Sequence, residues 1–280
     1  MTDDPETERK QRVVFGEDAD LYDRARPGYP DQLVADVLDF VGIDAPRVIE
    51  IGAGTGKATI EFAAIEPSAE MAAVAGRNCA AFPQVSLQLS DFEDWQNDTG
   101  RFDLLISAQA WHWIAPDVRY LKACGLLQPF GCLALFWNRA VWANREMRTT
   151  LDDVYRTFAP ELQAQEPGFP GLSPSRTDVE LAREIEESGL FGPVEHRTYQ
   201  WSDLYSSEQF TELLQTQSNH RLFPADRRAT LLAEIARVID DTGDPLKMDY
   251  ATHLYLARRR QDTELRAGIA TAPAPTGQLP

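Results

Sequence analysis

Basic side chains are in short supply. The 280-residue chain has 27 Lys and Arg against 44 Asp and Glu, a formal net charge of −17 and a sequence pI near 4.6. So acidic a surface repels phosphate backbones and anionic headgroups, which disfavours nucleic-acid and membrane partners. Cysteine is scarce too. Cys79, Cys124 and Cys132 form neither an even disulfide set nor a metal-ligand spacing, so no metal site is expected. Reduced thiols fit a cytoplasmic location. There is no apolar run of membrane-spanning length, and no apolar stretch follows the acidic opening residues as in a signal peptide. Against these absences, 43% apolar and 10% aromatic residues can fill one large domain, or one domain with an added cap. No internal repeat is present.

The most informative stretch is Val48-Ile-Glu-Ile-Gly-Ala-Gly-Thr-Gly-Lys57. A short apolar strand runs into glycines at every second position, Gly52, Gly54 and Gly56. Without Cβ atoms the backbone turns tightly and approaches a ligand closely. A helix over 57–64 is expected next, with its unpaired N–H groups aimed at that turn. The spacing is not G-x-G-x-x-G, which argues against a nicotinamide dinucleotide. Nor is it a phosphate loop, since Lys57 is followed by Ala58.

Further acidic positions follow. Glu66, in Ile65-Glu-Pro-Ser68, is placed to take ribose hydroxyls at the end of a second strand. It lies only 14 residues past Gly52, whereas roughly 20 is usual in such units. A helix and a strand do not both fit, so either the second strand is truncated or residues between Ala63 and Ile65 are missing. Val85–Asp91 alternates as a third strand and ends in Asp91-Phe92. Phe102–Ser107 is a fourth strand, followed by Ala108-Gln-Ala-Trp-His-Trp113. Gly131–Asn138 is a fifth, wholly apolar strand with Arg139 just beyond it.

In order, Glu50-x-Gly-x-Gly-x-Gly56, Ile65-Glu66, Asp91-Phe92 and Phe102-Asp-Leu-Leu-Ile resemble the motifs of class I S-adenosyl-L-methionine (SAM) dependent methyltransferases. The resemblance covers residues 13–257. Gln109-Ala-Trp-His-Trp113 and Tyr250-Ala-Thr-His-Leu-Tyr-Leu-Ala257 look like its small-molecule branch, which includes trans-aconitate methyltransferases. It implies a doubly wound, Rossmann-like, seven-stranded, mostly parallel sheet with an antiparallel last strand and a helical substrate cap. It also implies SAM as cofactor, held by Glu50, Gly52, Gly54, Gly56, Glu66, Asp91, Phe92 and Gln109. Residues 15–30 read either as a surface helix and turn or, by the resemblance, as a flap bringing Tyr22, Arg26 and Tyr29 to the cofactor.

The strand ends collect the other candidates, since ligands of open α/β sheets bind there. Trp111, Trp113, Asn138 and Arg139 are candidates for substrate contact, and His112 for a general base. Structural roles for these residues stay open, for His112 most of all. Helices are expected at 31–41, 69–76, 117–127, 144–158, 178–188, 207–216 and 224–240, and strands at 194–201 and 251–257. Residues 1–12 and 261–280 read as disordered tails around a 13–260 domain. Residues 140–178 read as an inserted cap followed by a proline-rich connection.

The expected activity is methyl transfer to an O, N or C nucleophile of a small molecule, with a carboxylic acid as one candidate. A SAM-binding protein that no longer methylates is the alternative. A nicotinamide oxidoreductase fits least, because Gly56 comes too early. Nothing in the sequence specifies the oligomeric state.

Overall fold

Seven strands make one sheet in this computed structural model, which describes residues 16, 18–59, 63–97, 100–165 and 178–261. The expected N-terminal tail, nearly all of the C-terminal one and the proline-rich connection lie outside the described residues. The strands are β1 (Val48–Ile51), β2 (Ala63–Glu66), β3 (Ser86–Leu89), β4 (Phe102–Ala108), β5 (Leu127–Val141), β6 (Glu195–Tyr205) and β7 (Leu246–Arg258). Their order is β3-β2-β1-β4-β5-β7-β6. β3, β2, β1, β4 and β5 run parallel, and β7 is antiparallel to both β5 and β6. The order reverses beside β1, so the carboxyl ends of β1 and β4 border one crevice.

The helices are α1 (Ala19–Ala25), α2 (Asp31–Val41), α3 (Ala69–Asn78), α4 (Pro116–Leu126), α5 (Arg145–Phe158), α6 (Pro160–Gln165), α7 (Asp178–Glu187), α8 (Ser207–Gln215), α9 (Ser218–Leu222) and α10 (Ala225–Asp240). Local chemistry sets their ends. Ser68 Oγ accepts the Met71 N–H at the start of α3, and Asn144 Oδ1 accepts the Met147 N–H at the start of α5. Gly42, at φ 71°, closes α2 by donating to Leu38 O.

The helix expected over 57–64 is not formed. Residues 57–59 are not helical, 60–62 lie outside the described residues, and 63–66 are strand. Nor is the second strand truncated: Ile49, Glu50 and Ile51 pair with Ala63, Ala64 and Ile65, and the whole of β2 pairs with β3. Parallel neighbours need a crossover of a dozen or more residues, usually helical. Residues 52–62 are too few for a glycine turn and a helix, and pairing of β2 with both neighbours prevails.

Apolar residues fall into two layers around the sheet, a third core beyond it and a small cluster of Ala19, Met71 and Val74 between α1 and α3. On one face Trp111, Trp137, Tyr255, Leu181 and Ile185 pack together. On the other, α2 buries Leu33, Val37 and Val41 against β4, β5 and β7. The third core joins α5 and α6 with α8, α10 and the Tyr205–Tyr250 end of β6 and β7. The helical layer beyond the sheet thus draws on residues 145–165 and 207–240. Inside it, the Tyr155 hydroxyl lies 2.5 Å from His220 Nε2. His220 is fully buried, and burial, with Arg228 and Arg26 nearby, pushes its pKa down to about 3.

Candidate functional site

β1 is buried along its length and delivers Glu50 into the interior at 2% exposure. The Thr59 hydroxyl donates to Glu50 Oε2. Burial pushes the Glu50 pKa up to about 8, and the neighbouring Glu66 adds to the rise while the Thr59 hydrogen bond opposes it. At neutral pH this carboxyl is mostly protonated.

Gly52, Gly54 and Gly56 all have left-handed backbones, at φ 72°, 59° and 85°. Gly52 also has no room for a side chain, because a Cβ there would lie 2.4 Å from the Ala110 Cβ. The glycine turn is stitched to β2. Gly52 and Ala53 donate to Ile65 O at 2.9 and 3.1 Å. Glu66 accepts the Gly54 N–H at 2.8 Å on Oε2 and the Ser68 N–H at 3.0 Å on Oε1. Between the glycines, Thr55 Oγ1 is buried with no hydrogen-bond partner among the described residues.

Beside this turn, β4 ends in a constrained loop. The Ser107 hydroxyl donates to Ile51 O at 2.9 Å and locks β4 to β1. Gln109 takes φ 60°, unusual for a residue with a Cβ, and its N–H donates to Phe136 O at 3.0 Å. That kink sends Ala110 over Gly52 and leads into the 3-10 turn Trp111–Trp113. His112 is exposed on this turn, its ring 4.7 Å from that of Trp113. Trp137, from β5, donates its indole Nε1–H to His112 Nδ1 at 3.4 Å.

Residues 48–131 match the family model described as a methyltransferase domain. An uncharacterized methyltransferase of Mycobacterium tuberculosis is 34% identical over 137 residues, covering 46% of this chain and 54% of that protein. The chain thus spans about half the length of such a relative. A Saccharomyces cerevisiae protein named a probable SAM-dependent methyltransferase is 22% identical over 281 residues, covering 86% of this chain and 95% of that one. Among solved structures, the YcgJ protein of Bacillus subtilis superposes with a TM-score of 0.53 at 15% identity, over 83% of this chain and 100% of that one. A phosphoethanolamine N-methyltransferase of Haemonchus contortus, solved with S-adenosylhomocysteine, gives 0.52 at 14%, over 88% and 58%. The seven-stranded Rossmann-like fold is shared with both.

The strand ends gather Glu50, the three glycines, Glu66 and Gln109 around one crevice, and Asp91 is exposed just past the carboxyl end of β3. Other expected residues sit differently. Trp111, expected at the substrate, is fully buried between Phe92 and Tyr120, at ring distances of 6.3 and 5.5 Å. Phe92 packs in the same core. Asn138, also expected at the substrate, donates to Gly28 O at 2.9 Å and accepts from Thr252 Oγ1 at 2.7 Å, tying the segment before α2 to the sheet. Arg26 stacks on Tyr22 at 4.9 Å and donates to Thr216 O and Gln217 Oε1 at 2.9 and 3.2 Å. It therefore clamps α1 to the helical layer. Arg139 is half-buried at the end of β5. Thr59, Ala110 and Trp137 are the contributors that the sequence does not flag.

Proposed function

We propose that this protein is a SAM-dependent methyltransferase acting on a small molecule. The observation that carries this reading is the left-handed glycine turn at the end of β1, braced by Glu66 from the end of β2. The crevice suits such a cofactor. Thr55 Oγ1 is a buried acceptor in want of a donor. Glu50 is a buried carboxyl that an approaching ammonium would ionise. Asp91 is an exposed carboxylate at the adenine end implied by the family pattern.

Bound there, SAM supplies a methyl group already activated by its sulfonium. The chain's work is then to orient and to exclude water. Glu50, Glu66 and Asp91 bind. Gln109 and Ala110 shape the wall beside the glycine turn. His112, Trp113 and Arg139 face the substrate, and α1 with the helical layer covers it. The small-molecule branch resemblance, with Arg139 at the crevice, supports a carboxylic acid as the finer choice of substrate.

Calorimetric titration with S-adenosylhomocysteine, and separately with NADH, tests the reading. Micromolar binding of the first alone is expected, weakened about tenfold or more in Glu66→Ala and Asp91→Ala, as loss of a hydrogen bond to a charged group predicts. Binding of NADH alone would overturn it.

Glu50 makes this binding pH-dependent. Ionising its carboxyl is costly below about pH 8 in the free protein, and a nearby ammonium offsets the cost. Cofactor binding below that pH therefore releases a proton from Glu50. Titrations at pH 7 in buffers of different ionisation enthalpy should show greater proton release for the wild type than for Glu50→Gln. Equal release in the two would remove Glu50 from the cofactor site.

A further inference from the structure

We infer that Trp137 holds His112 as its Nε2–H tautomer, which makes His112 a hydrogen-bond donor to the substrate and not a base. An indole N–H has no acceptor capacity, so the imidazole nitrogen it faces must accept. That nitrogen is Nδ1, at 3.4 Å. In the neutral ring the proton then sits on Nε2, across the ring from Trp137. The other tautomer would set Nδ1–H against the indole N–H, donor to donor.

Trp137 cannot easily turn away. It is 6% exposed, its ring stands edge-on to Tyr255 at 6.0 Å and 73°, and its backbone pairs with His253 across β5 and β7. His112, by contrast, is exposed on its turn. Trp137 is therefore a positioning residue, and His112 is the group that meets the substrate.

This inference rests on the methyltransferase reading for its consequence, though not for the tautomer itself. A donor at Nε2 suits a substrate that presents an acceptor oxygen and needs no proton removed. An ionised acid fits: its oxygen forms the new O–CH3 bond, the S–CH3 bond breaks, and the electron pair stays on sulfur. A cationic sulfonium and an anionic acid become a neutral thioether and a neutral ester, with no proton to place. His112 would hold the second oxygen of the acid group.

The tautomer can be read directly by nitrogen-15 imidazole correlation spectra of the free protein above the histidine titration range, with His112→Gln identifying the His112 signals. A single Nε2–H form is expected in the wild type, and a mixture in Trp137→Phe. A wild-type Nδ1–H form, or identical mixtures in both proteins, would overturn the inference. These spectra need no cofactor, so they stand apart from the S-adenosylhomocysteine titration.

A second arm measures turnover of SAM with a panel of small carboxylic acids. His112→Gln restores an N–H near the Nε2 position without a base. It should stay within about tenfold of wild type, while His112→Phe loses roughly 100-fold, the usual cost of deleting a positioned donor. Equal loss in both would return His112 to the role of base.

Discussion

Replacing Gly52 with alanine should abolish measurable S-adenosylhomocysteine binding and lower the melting temperature by roughly 10 °C. Two costs add. The left-handed backbone at φ 72° carries a penalty of about 1–2 kcal/mol for a residue with a Cβ. The new methyl would also stand 2.4 Å from the Ala110 Cβ, and overpacking of that kind costs about 1–3 kcal/mol. Relief would come from moving Ala110, but the Gln109 kink and the Ser107 to Ile51 hydrogen bond hold that loop in place. Adding Ala110→Gly to Gly52→Ala should recover the overpacking share and leave the backbone share. Thermal unfolding of the single and double variants, with calorimetry at each step, checks this. A Gly52→Ala protein that binds and melts like wild type would show that the contact is not formed in solution.

Acid should unfold the helical layer through His220. Its pKa is about 3 in the folded protein, against an ordinary value of 6.5. Between those values the unfolded chain binds the extra proton, so stability falls as pH drops. The contribution is fully present above about pH 6.5 and is lost progressively toward pH 3. Its ceiling is about 4–5 kcal/mol at the low end, at 1.36 kcal/mol per pKa unit. The Tyr155 hydroxyl at 2.5 Å satisfies Nε2 and the Asn219 Oδ1 at 2.9 Å satisfies Nδ1, so the neutral ring is well partnered. A proton would add charge between Arg228 and Arg26 without water to screen it. Denaturant unfolding at several pH values should show a shallower acid loss in His220→Gln than in wild type. Parallel curves for the two proteins would mean that other groups set the acid limit.

Much of the sheet was legible because its strands advertise themselves. Val48–Ile51 and Phe102–Ser107 are apolar and short, and punctuated by glycine or by polar loops. The helix α2 shows its buried stripe at Leu33, Val37 and Val41. The misread region is 57–64. Its composition suits a helix, yet pairing with β1 and β3 makes its last two residues strand, and no local pattern reports that pairing. β5 also runs longer than expected at both ends, since Pro129-Phe130-Gly131 looks like a strand break while the chain absorbs it with Phe130 at φ 64°.

The site divides in the same way. Glycines and carboxylates at strand ends are visible because the chemistry is in the residue type. Trp111 and Trp113 are two residues apart and look alike in the sequence, but the 3-10 turn sends the first into the core. Trp137 is invisible for another reason. It stands in a strand that is apolar on both faces, where no alternation marks which side chain reaches a neighbour.

The crossover between β1 and β2, with no helix among its described residues, has a consequence for how the molecule breathes. In a fuller crossover a packed helix would hold the glycine turn independently of the sheet edge. Here the turn is held by Ile65 O and the Glu66 carboxylate on β2, and by Asn78 of α3, which donates to Thr55 O at 2.8 Å. β2 in turn leans on β3, a four-residue edge strand whose Leu89 is exposed. Turn, α3 and edge therefore open as one cooperative unit, from the low-stability end of the protein. A ligand in the turn would slow amide exchange along β2 and β3, at residues it never touches.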